Sequence, residues 1–260
     1  MSLEIVIKTC DGESVHGRNE DRFCKADKKT IINKCISSIM NATHGGDKKT
    51  RITVIDDNSS DECKGMIQKL LEAYPHEAKF LTRSVRDYNE ATLQYFEHAR
   101  DSEYTHVYCM EDDYLHFPYA MMEMMDFYKM AFDRLGGSKD IVLHPFDDPD
   151  NYLYNSMQPA HIVQGKGRIW RTNTYSTCTF LTTPSVIGRN WEYFEKFATQ
   201  YMKDPKVNEG NTINHVWQSE KVQLFTPLPS LAMHMQFDKN IDKMVNWKTL
   251  WDNMPDYSTL

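Results

Sequence analysis

Leu3 to Thr9 (LEIVIKT) is a short apolar run rich in β-branched residues and followed by the turn-forming pair Asp11-Gly12, which predicts a buried strand. From Asp27, a suitable N-cap, apolar residues recur at helical spacing: Ile31, Ile32, Cys35, Ile36, Ile39 and Met40. That helix should stop before His44-Gly45-Gly46. Arg51 to Asp56 (RITVID) reads as a second strand, and Ser60 or Asp61 then caps a helix carrying Met66, Ile67, Leu70 and Leu71 until Pro75. A brief strand, Lys79 to Leu81, precedes a helix from about Asp87 to Ala99, and Thr105 to Met110 makes a fourth strand. Strands alternating with helices in this way imply crossover units and a parallel, doubly wound α/β sheet.

After Met110 the pattern changes. A Met-rich helix is expected over Pro118 to Leu135, with Met121, Met122, Met124, Met125 and Met130 as a core stripe, and a strand over Ile141 to Pro145. About 40 residues rich in aromatics, Asn, Thr and Gly separate that strand from a helix over Pro184 to Met202. A last strand is expected at Val222 to Phe225. This half reads as an irregular, mixed extension of the same sheet. No repeat or Pro/Gly-rich linker divides the chain, so one domain is expected.

Composition narrows the class. The 260 residues are 40% hydrophobic and 26% charged, an ordinary globular balance. A net charge of −7 is the wrong sign for gripping phosphate backbones, so nucleic acid is not expected as a partner. The six cysteines form no CxxC pair, which points to a reduced, cytoplasmic protein. MSLEIVIKTC has neither the basic region nor the long apolar run of a signal peptide, and no stretch is apolar enough to span a membrane.

Ligands of open parallel sheets bind at the carboxyl ends of the strands. Three of the first four strands end there in acidic turns: Thr9-Cys10-Asp11, Asp56-Asp57-Asn58-Ser59-Ser60-Asp61 and Glu111-Asp112-Asp113. Adjacent carboxylates repel one another unless a cation or donor groups neutralise them, and oxygen ligands of this kind suit Mg²⁺ or Mn²⁺. Taken singly, the second turn is equally a helix-capping loop and the third a solvated charge run. Together they favour a site.

These residues, in this order, resemble the GT-A nucleotide-sugar glycosyltransferases of the family 2 type. The likeness lies in Ile5-Val6-Ile7-Lys8-Thr9, Cys35-Ile36-Ser37-Ser38-Ile39, Val54 to Asp61, and Glu111-Asp112-Asp113 with Pro118 five residues on. It covers about residues 3–120. The resemblance implies a GT-A sheet with a nucleotide-binding half (1–115) and an acceptor-binding half (116–260), acting on a nucleotide-sugar donor, a UDP-sugar, and a hydroxyl acceptor. It implies that Thr9 and Asp11 border the base and Asp57 accepts the imino hydrogen of uracil. Asp112 would bind the ribose hydroxyls, and Asp113 would ligate Mn²⁺ or Mg²⁺ in the DxD position. The family's NxGxxxARN segment is represented only by Arg83, Arg86 and Asn89, of which Arg86 is the candidate nucleotide contact.

Inversion would require a base for the acceptor hydroxyl. By the same resemblance this is Glu209, in Glu209-Gly210-Asn211 before an expected helix from Thr212 to Ser219, with Glu220 competing. His234 is either a core histidine or, as the resemblance allows, a further metal or diphosphate ligand, with Lys239 and Lys243 beyond it; His144, His161 and His215 are read as structural. Tyr152, Tyr154, Trp170, Tyr175, Trp191 and Trp217 offer faces to a sugar, with Asn151, Asn173 and Thr177 as hydrogen-bonding neighbours. Core packing is preferred for Trp191 and Trp217. A nucleotidyltransferase is disfavoured, because Thr9-Cys10-Asp11-Gly12 is too short to wrap a triphosphate. A non-catalytic sugar-binding protein stays open.

Overall fold

A computed structural model describes residues 2–12, 23–43, 49–149, 152, 160–176, 178–235 and 245–259. The first half alternates as its hydrophobic pattern dictates. Strands β1 (Leu3–Thr9), β2 (Thr50–Asp56), β3 (Glu77–Thr82) and β4 (His106–Glu111) are parallel, in the order β3-β2-β1-β4. Helices α1 (Lys28–Thr43), α2 (Asp61–Ala73) and α3 (Tyr88–Arg100) make the crossovers. Their starts are capped locally. Asp27 accepts from the Thr30 amide, Ser60 from the Cys63 amide, and Asp87 from the amides of Asn89 and Glu90.

The period of two along a strand assigns each side chain to a layer. In β1, Ile5 and Ile7 enter the core under α1 and α2, whereas Val6 enters the core under α3. In β4, Tyr108 and Met110 take the first side and Val107 and Cys109 the second. Lys8 therefore shares the α3 side with Val6, where its Nζ donates to Thr92 Oγ1 at 3.1 Å and lies 4.2 Å from the Tyr88 ring.

The second half extends this sheet as a mixed one. Beyond β4 come β9 (Phe180–Thr182), β6 (Asp140–Leu143), β10 (Val222–Leu228), β8 (Ile169–Asn173) and β7 (Ile162–Gln164). β9 runs antiparallel to β4 and β6, and β10 runs parallel to β6. Helix α4 (Ala120–Leu135) packs on the first side and buries Met121, Met124 and Met125, but Met122 is exposed and leaves the expected stripe. The helix expected over Pro184 to Met202 is two, α5 (Pro184–Arg189) and α6 (Trp191–Gln200), which break at Asn190. The helix expected from Thr212 to Ser219 is present as the shorter α7 (Ile213–Trp217), preceded by a 3₁₀ turn, Glu209–Asn211. Further on, α8 (Trp247–Asp252) buries Trp247 and Trp251.

A small second sheet was not foreseen. β5 (Tyr114–His116) pairs antiparallel with β11 (Ala232–His234), setting His234 opposite Tyr114. Each strand is three residues long, too short for periodicity to register. Among the described residues no helix is long and apolar enough to cross a membrane, and all six cysteines are free thiols.

Candidate active site

The carboxyl ends of β1, β2 and β4 converge, and seven of the eight candidate residues lie there. The turn after β2 is tight because Asn58 adopts a left-handed conformation (φ 52°), which Asn tolerates better than most residues. The Asp57 amide donates to the Thr9 carbonyl at 2.9 Å, joining this turn to β1. Asp57 itself is buried; its Oδ1 accepts from the Asp87 amide at 2.8 Å, with Arg83 Nε 3.7 Å away. The anchored oxygen fixes the carboxylate. Asp11 is held through the Ser60 amide and hydroxyl and lies 3.5 Å from Arg86 Nη2. Arg86 also donates to the Asn58 carbonyl at 3.1 Å and lies so close over Gly12 that a Cβ there would collide with its guanidinium.

Asp112 is buried and tied to β1. Its Oδ2 accepts from Thr9 Oγ1 at 2.9 Å and from the Cys10 amide at 3.0 Å, and its Oδ1 accepts from Lys28 Nζ at 2.5 Å. Thr9 thus orients Asp112. Asp113 Oδ1 lies 3.4 Å from His234 Nε2, and its backbone carbonyl accepts from the Met235 amide, so β11 delivers His234 to it. The His234 ring also stacks on Tyr114, 4.7 Å between centroids. Burial disfavours the imidazolium, but the Asp113 carboxylate, a hydrogen bond to it and the charge of Glu111 outweigh burial and raise the His234 pKa. Burial likewise raises the pKa of Glu111, which Lys8 opposes and Asp113 reinforces.

Asp113 and His234 offer one oxygen and one nitrogen at a separation that a single divalent ion, with bonds of about 2.1 Å, can bridge. Among the described residues no three His, Cys, Asp or Glu side chains converge on one point. The protein's own donors thus fit an ion held open to further ligands, as when substrate phosphates complete the shell.

Glu209 is carried by the 3₁₀ turn before α7, not by a strand end. Its Oε2 accepts from the Tyr175 hydroxyl, while Asn208 caps the turn that carries it. Glu220 is exposed just before the amino end of β10, which runs parallel to β6 and β4; it therefore lies at the opposite edge of the sheet and drops out as a competitor. Of the aromatic candidates, Trp170 and Trp217 are core, and Trp191 packs under the Arg100 guanidinium. Tyr175 and Tyr152 are exposed, each with its hydroxyl on a carboxylate, Glu209 and Asp147 respectively. His144 is buried and bonded to the Thr179 carbonyl, a structural role as expected. Tyr154, Asn151, Thr177, Lys239 and Lys243 lie outside the described residues. A separate cleft of about 330 Å³, lined among others by Tyr119, Met122, Phe127 and Trp170, shares no residue with the acidic cluster.

Two contributors escaped sequence reading. Nothing in the sequence marks Lys28 out from its polar neighbours, and the sequence points to Tyr175 only as a ring. Neither carries a local signal, since both partners are distant in the chain.

The family model described as glycosyl transferase family 2 matches residues 24–198. No curated protein sequence matches significantly. Among solved structures, GalNAc-T7 with UDP, GalNAc and Mn²⁺ superposes with a TM-score of 0.54 at 10% identity, covering 93% of this chain and 44% of that one. TarS 1-349 of S. aureus gives 0.48 at 11% identity, covering 87% and 60%, and the mannosyltransferase PcManGT of Pyrobaculum calidifontis, with GDP-Man and Mn²⁺, gives 0.45 at 13%, covering 72% and 46%. The chain thus spans less than two thirds of the length of each of these proteins.

Proposed function

Because this chain belongs to glycosyl transferase family 2, we propose that it moves a sugar from a uridine diphosphate donor to a hydroxyl acceptor, with a divalent cation and with inversion of the anomeric carbon. The observation that carries this reading is the fixing of Asp57, Asp112 and Asp113 side by side at the carboxyl edge of the sheet, each held by a different element. Asp57 Oδ2 is suited to the single imino N–H of uracil, flanked by two carbonyls. Asp11 and Arg86, paired at 3.5 Å, would border the base. Asp112 is oriented for the ribose by Thr9, and Asp113 with His234 would hold Mn²⁺ or Mg²⁺. When bound, such an ion offsets charge building on the leaving diphosphate.

Glu209 is the proposed base. A carboxylate whose second oxygen is fixed by Tyr175 keeps the first for the acceptor hydroxyl, and takes its proton as that oxygen attacks the anomeric carbon. The donor reading is tested by thermal shift with uridine, guanosine, adenosine and cytidine diphosphates, each with Mn²⁺ and with EDTA. UDP with Mn²⁺ should give the largest stabilisation, roughly 2.7 kcal/mol at about 100 times Kd. Equal stabilisation by all four nucleotides overturns the choice of uracil; equal stabilisation in EDTA overturns the metal.

A further inference from the structure

Lys28 is the first residue of α1, yet its side chain leaves the helix and reaches the acidic turn after β4. Its Nζ is 2.5 Å from Asp112 Oδ1 and 3.6 Å from Asp113 Oδ2, and the side chain is only 15% exposed. The other Asp113 oxygen, Oδ1, is the one that faces His234. The two oxygens of Asp113 thus have different neighbours, an ammonium and an imidazole.

We propose that Lys28 is a resident cation of the donor site, which holds Asp112 and Asp113 together without metal, supports diphosphate binding in its absence, and weakens the hold of a divalent ion on Asp113. This rests on the reading of Asp112 and Asp113 as donor-site carboxylates. The physical reason is charge. Glu111, Asp112 and Asp113 are consecutive carboxylates, and a nucleoside diphosphate brings more negative charge to them. An ammonium at these distances lowers that repulsion, and by the same Coulomb term it repels a second cation on the same carboxylates.

Removing the charge should therefore shift two affinities in opposite directions. Lys28→Met keeps the apolar stem and loses the ammonium. Mn²⁺ alone, titrated by the electron paramagnetic resonance signal of the free ion, should bind Lys28→Met about tenfold more tightly than wild type. UDP in EDTA, measured by calorimetry, should bind it about tenfold more weakly. Lys28→Arg should stay near wild type in both. A lysine that only braced the fold would weaken both when removed, so Mn²⁺ affinity that is unchanged or lower in folded Lys28→Met overturns the proposal. If Lys28→Met does not fold, Lys28→Gln, which keeps a donor for Asp112, is put to the same two measurements. A wild-type chain that binds no UDP in either condition sinks the donor reading alone, and the Mn²⁺ titration still decides on Lys28.

Discussion

Asp57 shows how a single residue divides its labour. One oxygen is taken by the Asp87 amide, which anchors it to the start of α3, and under the proposed function the other meets the base. Asp57→Asn preserves size and can keep the anchored acceptor, but it offers an NH₂ where the imino hydrogen needs an acceptor. UDP should bind about 1–2 kcal/mol more weakly by calorimetry, with the melting temperature nearly unchanged. Unaltered affinity would mean that the base is read elsewhere. Glu209→Gln should leave UDP and Mn²⁺ binding intact while kcat falls by roughly 10²–10⁴, since the base is lost and the nucleotide edge is untouched. Full activity with inverted product anomers, read by NMR, would rule Glu209 out.

At the scale of elements, the far edge of the sheet is held by a buried ion network. Glu4 in β1 is fully buried and accepts from Arg51 Nε and Nη2 (2.9 and 3.0 Å), from Thr53 and from Ser102, with His98 Nε2 at 2.8 Å. Arg51 also reaches Glu77 in β3. Glu4 and Arg51 together thereby link three strands and α3 opposite the candidate active site. Burial raises the Glu4 pKa, but His98, Arg51 and the two hydroxyls outweigh it and hold the carboxyl well below its ordinary range. A depressed carboxyl pKa contributes stability that is present above about pH 4.5 and is lost as pH falls. Glu4→Gln leaves the Arg51 charge poorly compensated and should cost about 3–5 kcal/mol in urea unfolding at pH 7. A loss under 1 kcal/mol would show that the network is dispensable.

Across the whole molecule, two buried histidines add acid sensitivity. Burial holds His116 down to about 3, although its hydrogen bond to the Tyr114 carbonyl favours the charged form, and the Tyr108 hydroxyl sits 2.6 Å from its Nε2. Burial likewise holds His144 down to about 4, against its bond to the Thr179 carbonyl and with the help of the His234 charge. Both stay neutral in the fold while the unfolded chain takes up protons below about pH 6.5. Stability should therefore fall as pH drops from 6.5 towards 4, by up to about 1.4 kcal/mol per pH unit for each histidine. Urea midpoints at pH 7, 6 and 5 check the slope, and His116→Gln should flatten it if the variant folds.

Local patterns determined the first half of this protein almost alone. Strand period, helix period and capping residues act within a few residues of one another, so β1 to β4 and α1 to α3 were legible within a residue or two. The acidic turns that carry Asp11, Asp57, Asp112 and Asp113 were legible for the same reason, since each ends a strand that the pattern marks. What the sequence could not supply was partnership. His234 meets Asp113 only because β11 pairs with β5, Lys28 meets Asp112 only because α1 packs beside β5, and Tyr175, in the loop after β8, meets Glu209 in the 3₁₀ turn before α7. These contacts join residues far apart in the chain, and the free energy that brings them together is that of burying the sheet faces and pairing the short strands. No residue type at any one position encodes it, so only the tertiary structure decided which charges would face one another.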